Sequence, residues 1–217
     1  MTAINQIFFD IGGVLGSNGW DREQRGEAIK RFQLDAEDFQ YRHEETVGAF
    51  ESGQLSLDEY LDVTVFWTRR DFGREDFKKF MLGLSTPWPE SLDVVRRLRQ
   101  GVRGQPTRVR LATLNNESRE LNEHRIDRFG LCGLFDVFFS SCWLGVRKPT
   151  RQIYERVLGM TQADPTHCLF VDDREQNLAP ARALGMQTIH FTSATTLADS
   201  LAGLGFALGS VVTARTR

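Results

Sequence analysis

The 217-residue sequence predicts an α/β protein: a parallel sheet core interrupted once by an inserted helical domain. Three observations carry this. Five short apolar runs have the length and composition of strands buried on both faces. Segments with apolar residues near every 3.6 positions separate most of these runs, as crossover helices do. The interval 17–85, between the first two runs, is far longer than a crossover and holds helical patterns with no strand pattern.

The first strand is residues 4–9, and it ends on Asp10 followed by Ile11, Gly12 and Gly13. Four amphipathic patterns follow, over residues 21–32, 35–50, 56–67 and 74–84, and the third opens with a Ser-x-x-Glu capping box from Ser56 to Glu59. Trp20, Phe50, Phe66 and Trp67 are expected to fill the core of this insert. Pro87 and Pro89, on either side of Trp88, mark the return into the sheet domain. Leu92, Val95 and Leu98 then line one helix face, ahead of the second strand at 109–114 and the third at 135–139. Ile153 and Val157 mark the next helix, 168–171 is the fourth strand, and the helix 177–185 stops at Gly185 before the last strand at 187–191. The alternation gives a Rossmann-like core over 1–16 and 86–217, with a helical domain over 17–85.

Composition narrows the function. A hydrophobic fraction of 41% supports a packed core, and a net charge of −2 provides no basic field for a nucleic acid. No apolar stretch approaches the ~20 residues that span a bilayer. Cys132, Cys142 and Cys168 have no C-x-x-C spacing, and the N-terminal stretch lacks a secretory pattern, so a soluble protein of the reducing cytoplasm is expected, monomer or dimer. No histidine pair has zinc-ligand spacing.

Ligands of open parallel sheets bind beyond the carboxyl ends of the strands. There the sequence places Asp10 after the first strand, Asn115 and Asn116 after the second, and Asp172 and Asp173 after the fourth, with Lys148 in the segment following the third. Converging carboxylates repel unless a cation neutralises them, and hard oxygen donors suit Mg²⁺. The same acids can also be plain helix-capping loop residues, which would bind no metal.

The stretches FFDIGGVL, LATLNNES, GVRKP and LFVDDREQN, in that order, resemble the four motifs of the haloacid dehalogenase (HAD) superfamily of aspartate-nucleophile hydrolases, over nearly the whole chain. The insert resembles that superfamily's C1 cap, and the wording around DIGGVL and FESGQLSLDEY is most similar to the branch of sugar-phosphate phosphatases and epoxide-hydrolase N-terminal domains. The resemblance implies attack by Asp10 on a small phosphorylated metabolite, a sugar phosphate foremost, giving an aspartyl-phosphate that water hydrolyses. It implies Mg²⁺ held by Asp10, the Gly12 carbonyl and Asp172, with Asp173 beside them. Lys148 would neutralise the nucleophile and the phosphoryl oxygens, and Ile11, Gly12, Asn115 and Asn116 would bind the phosphate.

Two positions depart from the pattern. The superfamily's phosphatases usually carry a proton-donating Asp two residues after the nucleophile, and here that residue is Gly12. General acid help is worth about 10²- to 10⁴-fold. Three resolutions stand: a leaving group that departs as an anion, an acid entering from the insert (Asp21, His43, Glu44 or Glu45), or loss of turnover, leaving a phosphate- or metabolite-binding protein. The second departure is Asn115, where a Ser or Thr normally binds phosphate, with Thr113 deeper on the strand. Dehalogenase chemistry would want an aromatic residue at Gly12, and phosphonatase chemistry a Schiff-base lysine; Lys30, Lys78 and Lys79 sit in ordinary amphipathic helices.

Overall fold

The computed structural model describes residues 3–103 and 109–209; the outer ends of the predicted core ranges, 1–2 and 210–217, lie outside the described residues. Strands β1 (Gln6–Phe9), β2 (Arg110–Asn115), β3 (Val137–Ser140), β4 (Cys168–Asp172) and β5 (Gln187–His190) form one parallel sheet in the order β3-β2-β1-β4-β5. The chain steps outward from β1 to β2 and β3, then crosses back to β4 and β5. Strand order therefore reverses at β1 and β4, where a crevice opens at the carboxyl ends. Phe9 pairs with Val171 across the two strands, and the Asp10 N–H donates to the Val171 carbonyl at 2.9 Å. The register thus carries Asp10 and Asp172 out of the sheet side by side.

The strands read as unbroken apolar runs because both faces are covered. Ile7, Phe9, Leu111 and Val171 pack under α5 (Pro89–Arg103) and α10 (Ala194–Gly203). Phe8, Leu114 and Phe170 pack under α8 (Arg151–Thr161) and α9 (Glu175–Ala183) on the other face. The third strand starts two residues later than its pattern predicts. Phe135 is buried in the core while still in the approach to the strand, and Val137, on the edge strand, is 39% exposed.

Between β1 and α5 lie α1 (Arg22–Phe32), α2 (Ala36–Glu51), α3 (Leu57–Thr64) and α4 (Arg74–Gly83). They close over an apolar cluster of their own that includes Trp20, Phe39, Phe50, Tyr60 and Phe77, joined by Leu121 from α6 (Arg119–Arg128). The Ser56–Glu59 capping box is formed. Trp67 departs from expectation: it is 49% exposed, with the Arg42 guanidinium 4.0 Å from its ring centre. An aromatic ring covered by a cation on one face tolerates water on the other. The outgoing and returning chains are fastened together, Ser17 donating to the Thr86 carbonyl at 2.8 Å and Trp88 to that of Leu15 at 2.9 Å. A single turn, α7 (Ser141–Leu144), follows β3. Among the described residues no helix is long and apolar enough to cross a membrane.

Candidate active site

Asp10, Lys148 and Asp172 form a buried chain of charge at the crevice. The Lys148 Nζ lies 3.1 Å from Asp10 Oδ1 and 2.7 Å from Asp172 Oδ2, with 1% of the lysine side chain exposed. Asn116 fixes the lysine's backbone, its amide donating to the Lys148 carbonyl and accepting from the Lys148 N–H, each at 2.8 Å. Asp172 is held in turn by Asn177 Nδ2, at 3.0 and 3.1 Å from its two oxygens, and by the Arg174 N–H at 2.8 Å. Asn177 therefore orients the acidic loop as well as lying in the first turn of α9. Asp10 Oδ1 also accepts the Ile11 N–H at 2.8 Å.

Asp173 completes the group. Carboxylate oxygens of Asp10, Asp172 and Asp173 lie within 4.8 Å of one another, and Asp173 Oδ1 is buried without a partner among the described residues. Gly13 permits this approach. Its φ is +72°, and a Cβ there would sit 2.3 Å from Asp173 Oδ2, so any side chain would be both strained and in collision. Burial pushes the Asp10 carboxyl up to about 7; Lys148 pulls it down, and Asp172 and Asp173 add to the rise. Burial likewise raises Asp173, reinforced by Asp172. Burial opposes the charge on Lys148, but Asp10 and Asp172 outweigh it and hold the ammonium above its ordinary value. Three carboxylates against one buried ammonium, with a bare buried oxygen among them, fit a hard divalent cation.

A cavity of about 90 Å³ opens on Asp10, Lys148, Gly12 and Asn116, with Asn18 and Glu51 from the insert. Arg125 and Arg174 also face it. Ile11 and Asn115 do not line it: Ile11 is fully buried, and the Asn115 amide donates to Asn122 at 3.0 Å. Thr113 is fully buried on its strand, and its hydroxyl has no partner among the described residues. A larger open groove of about 1160 Å³ runs beside Arg31, Phe32, Arg70 and Lys79 of the insert and contains none of the strand-end acids.

None of the four proton donors that the insert could have offered, Asp21, His43, Glu44 and Glu45, lines the cavity. Asp21 caps α1, accepting the Gln24 N–H at 2.9 Å, and Glu44 and Glu45 are exposed. His43 lies inside the helical cluster, 2.8 Å from the Tyr60 hydroxyl. Trp20 Nε1 donates to that same oxygen at 2.8 Å, so the Tyr60 hydroxyl joins the indole to the imidazole inside the cluster. Burial, helped by Arg25, lowers His43 to about 3. A group depressed in this way keeps its stabilising contribution above the unfolded value near 6.5 and loses it as pH falls toward the folded value. The wild-type protein should lose about 2 kcal/mol from this source by pH 5, and His43→Gln should flatten that slope in urea denaturation.

Two groups facing the cavity carry no obvious sequence signal as site residues. Glu51 closes α2 beside the cavity, its carboxylate 2.8 Å from Arg147 of the sheet domain. An acid in the last turn opposes the helix dipole, which is the one hint it gives. Nothing in the pattern around Arg125 marks it.

The model of a family described as haloacid dehalogenase-like hydrolase matches residues 4–185. Over 198 residues the chain is 26% identical to a D-ribitol-5-phosphate phosphatase of Bacteroides thetaiotaomicron, covering 85% of this chain and 90% of that protein. A flavin mononucleotide hydrolase of Arabidopsis thaliana is 37% identical over 79 residues, 36% of this chain and 32% of that protein; the chain spans about a third or less of the first curated relatives it matches. Among solved structures, a HAD family enzyme of B. thetaiotaomicron superposes with a TM-score of 0.74 at 21% identity, over 88% of this chain and 95% of that one. Its complex with magnesium and inorganic phosphate superposes with a TM-score of 0.70 at the same identity and coverage.

Proposed function

The chain belongs to the haloacid dehalogenase-like hydrolases, and from that premise we propose that it is a magnesium-dependent phosphatase of a small phosphorylated metabolite, a sugar phosphate foremost, working through an aspartyl-phosphate on Asp10. The observation that carries the proposal is the Asp10–Lys148–Asp172 chain with Asp173 beside it. The ribitol-phosphate phosphatase and the magnesium and phosphate complex of the fold relative support it.

Asp10 offers an oxygen to phosphorus in line with the departing ester oxygen. Lys148, held against Asp10, neutralises charge that accumulates on the phosphoryl oxygens during transfer. Asp10, the Gly12 carbonyl and Asp172, with Asp173 adjacent, would hold Mg²⁺, which supplies charge neutralisation to the phosphate when bound. The Asn116 side chain, already spent on Lys148, acts by fixing that lysine in place. Backbone N–H groups of Gly12 and Asn116 are the candidate phosphate donors, whereas that of Ile11, given to Asp10 Oδ1, orients the nucleophile instead. Asn115, bonded to Asn122, contributes by bracing the loop. The helices of 17–85 act as a cap domain over a core of 1–16 and 86–217, excluding water when closed. Three unpaired cysteines support a cytoplasmic setting.

Gly12, with no acid on it, and the diverted Asn115 favour a second reading, a binding protein without turnover. Incubation with Mg²⁺ and a panel of sugar, aryl and acyl phosphates separates the two. Phosphate release supports the phosphatase; thermal stabilisation by the same compounds without release supports the binder.

A further inference from the structure

Resting on the phosphatase reading, the geometry points to Arg125 as the group that replaces the missing acid: a fixed cation that stabilises the leaving oxygen as an anion and restricts the substrates to phosphates of weakly basic oxygens, such as carboxylates, enols, phenols or anomeric hydroxyls. Three observations support it. First, a Cβ built on Gly12 would lie 3.5 Å from Arg125 Nη1 and 3.4 Å from Asn18 Oδ1. The space into which an acid at position 12 would extend is therefore bordered by a guanidinium. Second, Arg125 faces the cavity of Asp10 and Lys148 although it is 1% exposed.

Third, its charge is poorly matched for so buried a group. Nη1 reaches Glu117 at 3.4 Å, Nη2 donates to the Ser17 carbonyl, and Nε has no partner among the described residues. Burial disfavours charge on both partners of this 3.4 Å pair, raising the Glu117 carboxyl and lowering the Arg125 guanidinium, while each draws the other back toward its charged form. A buried cation in that condition is costly unless an anion arrives to meet it.

The chemistry balances without an acid. The Asp10 oxygen forms its bond to phosphorus as the ester P–O bond breaks, and the leaving oxygen keeps the electron pair beside Arg125. An oxygen more basic than the solution pH then takes a proton from water, and the hydroxide so generated equals the one consumed when the aspartyl-phosphate is hydrolysed to hydrogen phosphate and free Asp10. A carboxylate stays ionised, and hydrolysis of the aspartyl-phosphate by water then releases one proton with the hydrogen phosphate.

The test uses the full chain with Mg²⁺ and compares kcat/KM for acetyl phosphate, a series of substituted phenyl phosphates and glycerol phosphate. The rate should fall by about 10²- to 10⁴-fold from the acyl to the alkyl member, the worth of the absent acid. Arg125→Met should cost about 10²-fold or more, increasingly so as the leaving group becomes more basic, and Arg125→Lys should recover part of it. Gly12→Asp should leave the alkyl ester slow, because its carboxylate pairs with Arg125 instead of carrying a proton. Equal rates across the series, a uniform loss in Arg125→Met, or an alkyl rate raised more than about tenfold by Gly12→Asp would overturn the assignment and leave the phosphatase standing. If Arg125→Met does not fold, the wild-type series and Gly12→Asp still decide. Release from no member would overturn both readings.

Discussion

Asp10→Asn abolishes phosphate release, by about 10⁶-fold if the loss matches that of removing a nucleophile elsewhere. The substitution changes one oxygen to an amide and keeps the volume, so the fold is retained. Lys148 keeps its 2.7 Å contact with Asp172. The metal-free variant should be no less stable than wild type, since it replaces a carboxylate whose charge burial disfavours. Activity lost with stability kept, measured by phosphate release and urea denaturation on one preparation, separates a chemical role from a structural one. An Asp10→Asn variant that still turns over would exclude the nucleophile assignment.

Lys148→Met has the opposite signature. The lysine is the buried ammonium between Asp10 and Asp172, and removing it leaves two carboxylates without their shared counter-charge. Breaking a buried pair from one side costs about 3–5 kcal/mol. The variant should therefore be destabilised in the absence of metal and lose about 10²- to 10³-fold in turnover, the scale of removing one transition-state donor. Mg²⁺ should raise its melting temperature more than it raises that of wild type, because a cation among the three acids now relieves a larger repulsion. A variant of unchanged stability, or one indifferent to Mg²⁺, would show that the acids are not gathered into one electrostatic unit.

How far the sequence reveals this site depends on where each residue sits. Asp10, Asp172 and Asp173 are legible because each lies at the end of an apolar run, and parallel register brings the ends of runs together. The five strands are legible for the same reason, although the third begins late because Phe135 is buried before the ladder starts. Asn115 shows the limit: its position follows from the strand end, but its amide turns to Asn122, a choice made by the packing of α6. Arg125 and Glu51 are hidden for another reason. Each arrives on a helix whose rotation and tilt depend on tertiary packing, and charge at a helical position is ordinarily solvated. His43 misleads in the same way, since a polar residue in a helix gives no sign that it faces inward to Tyr60.

The stereochemistry at phosphorus tests the central claim most directly. A phosphorothioate ester made chiral at phosphorus by sulfur and two oxygen isotopes, turned over once in water of the third isotope, should give inorganic thiophosphate with retained configuration, because transfer to Asp10 and then to water inverts it twice. Net inversion would mean that water attacks the substrate directly, and Asp10 would then be no more than a ligand or an electrostatic neighbour.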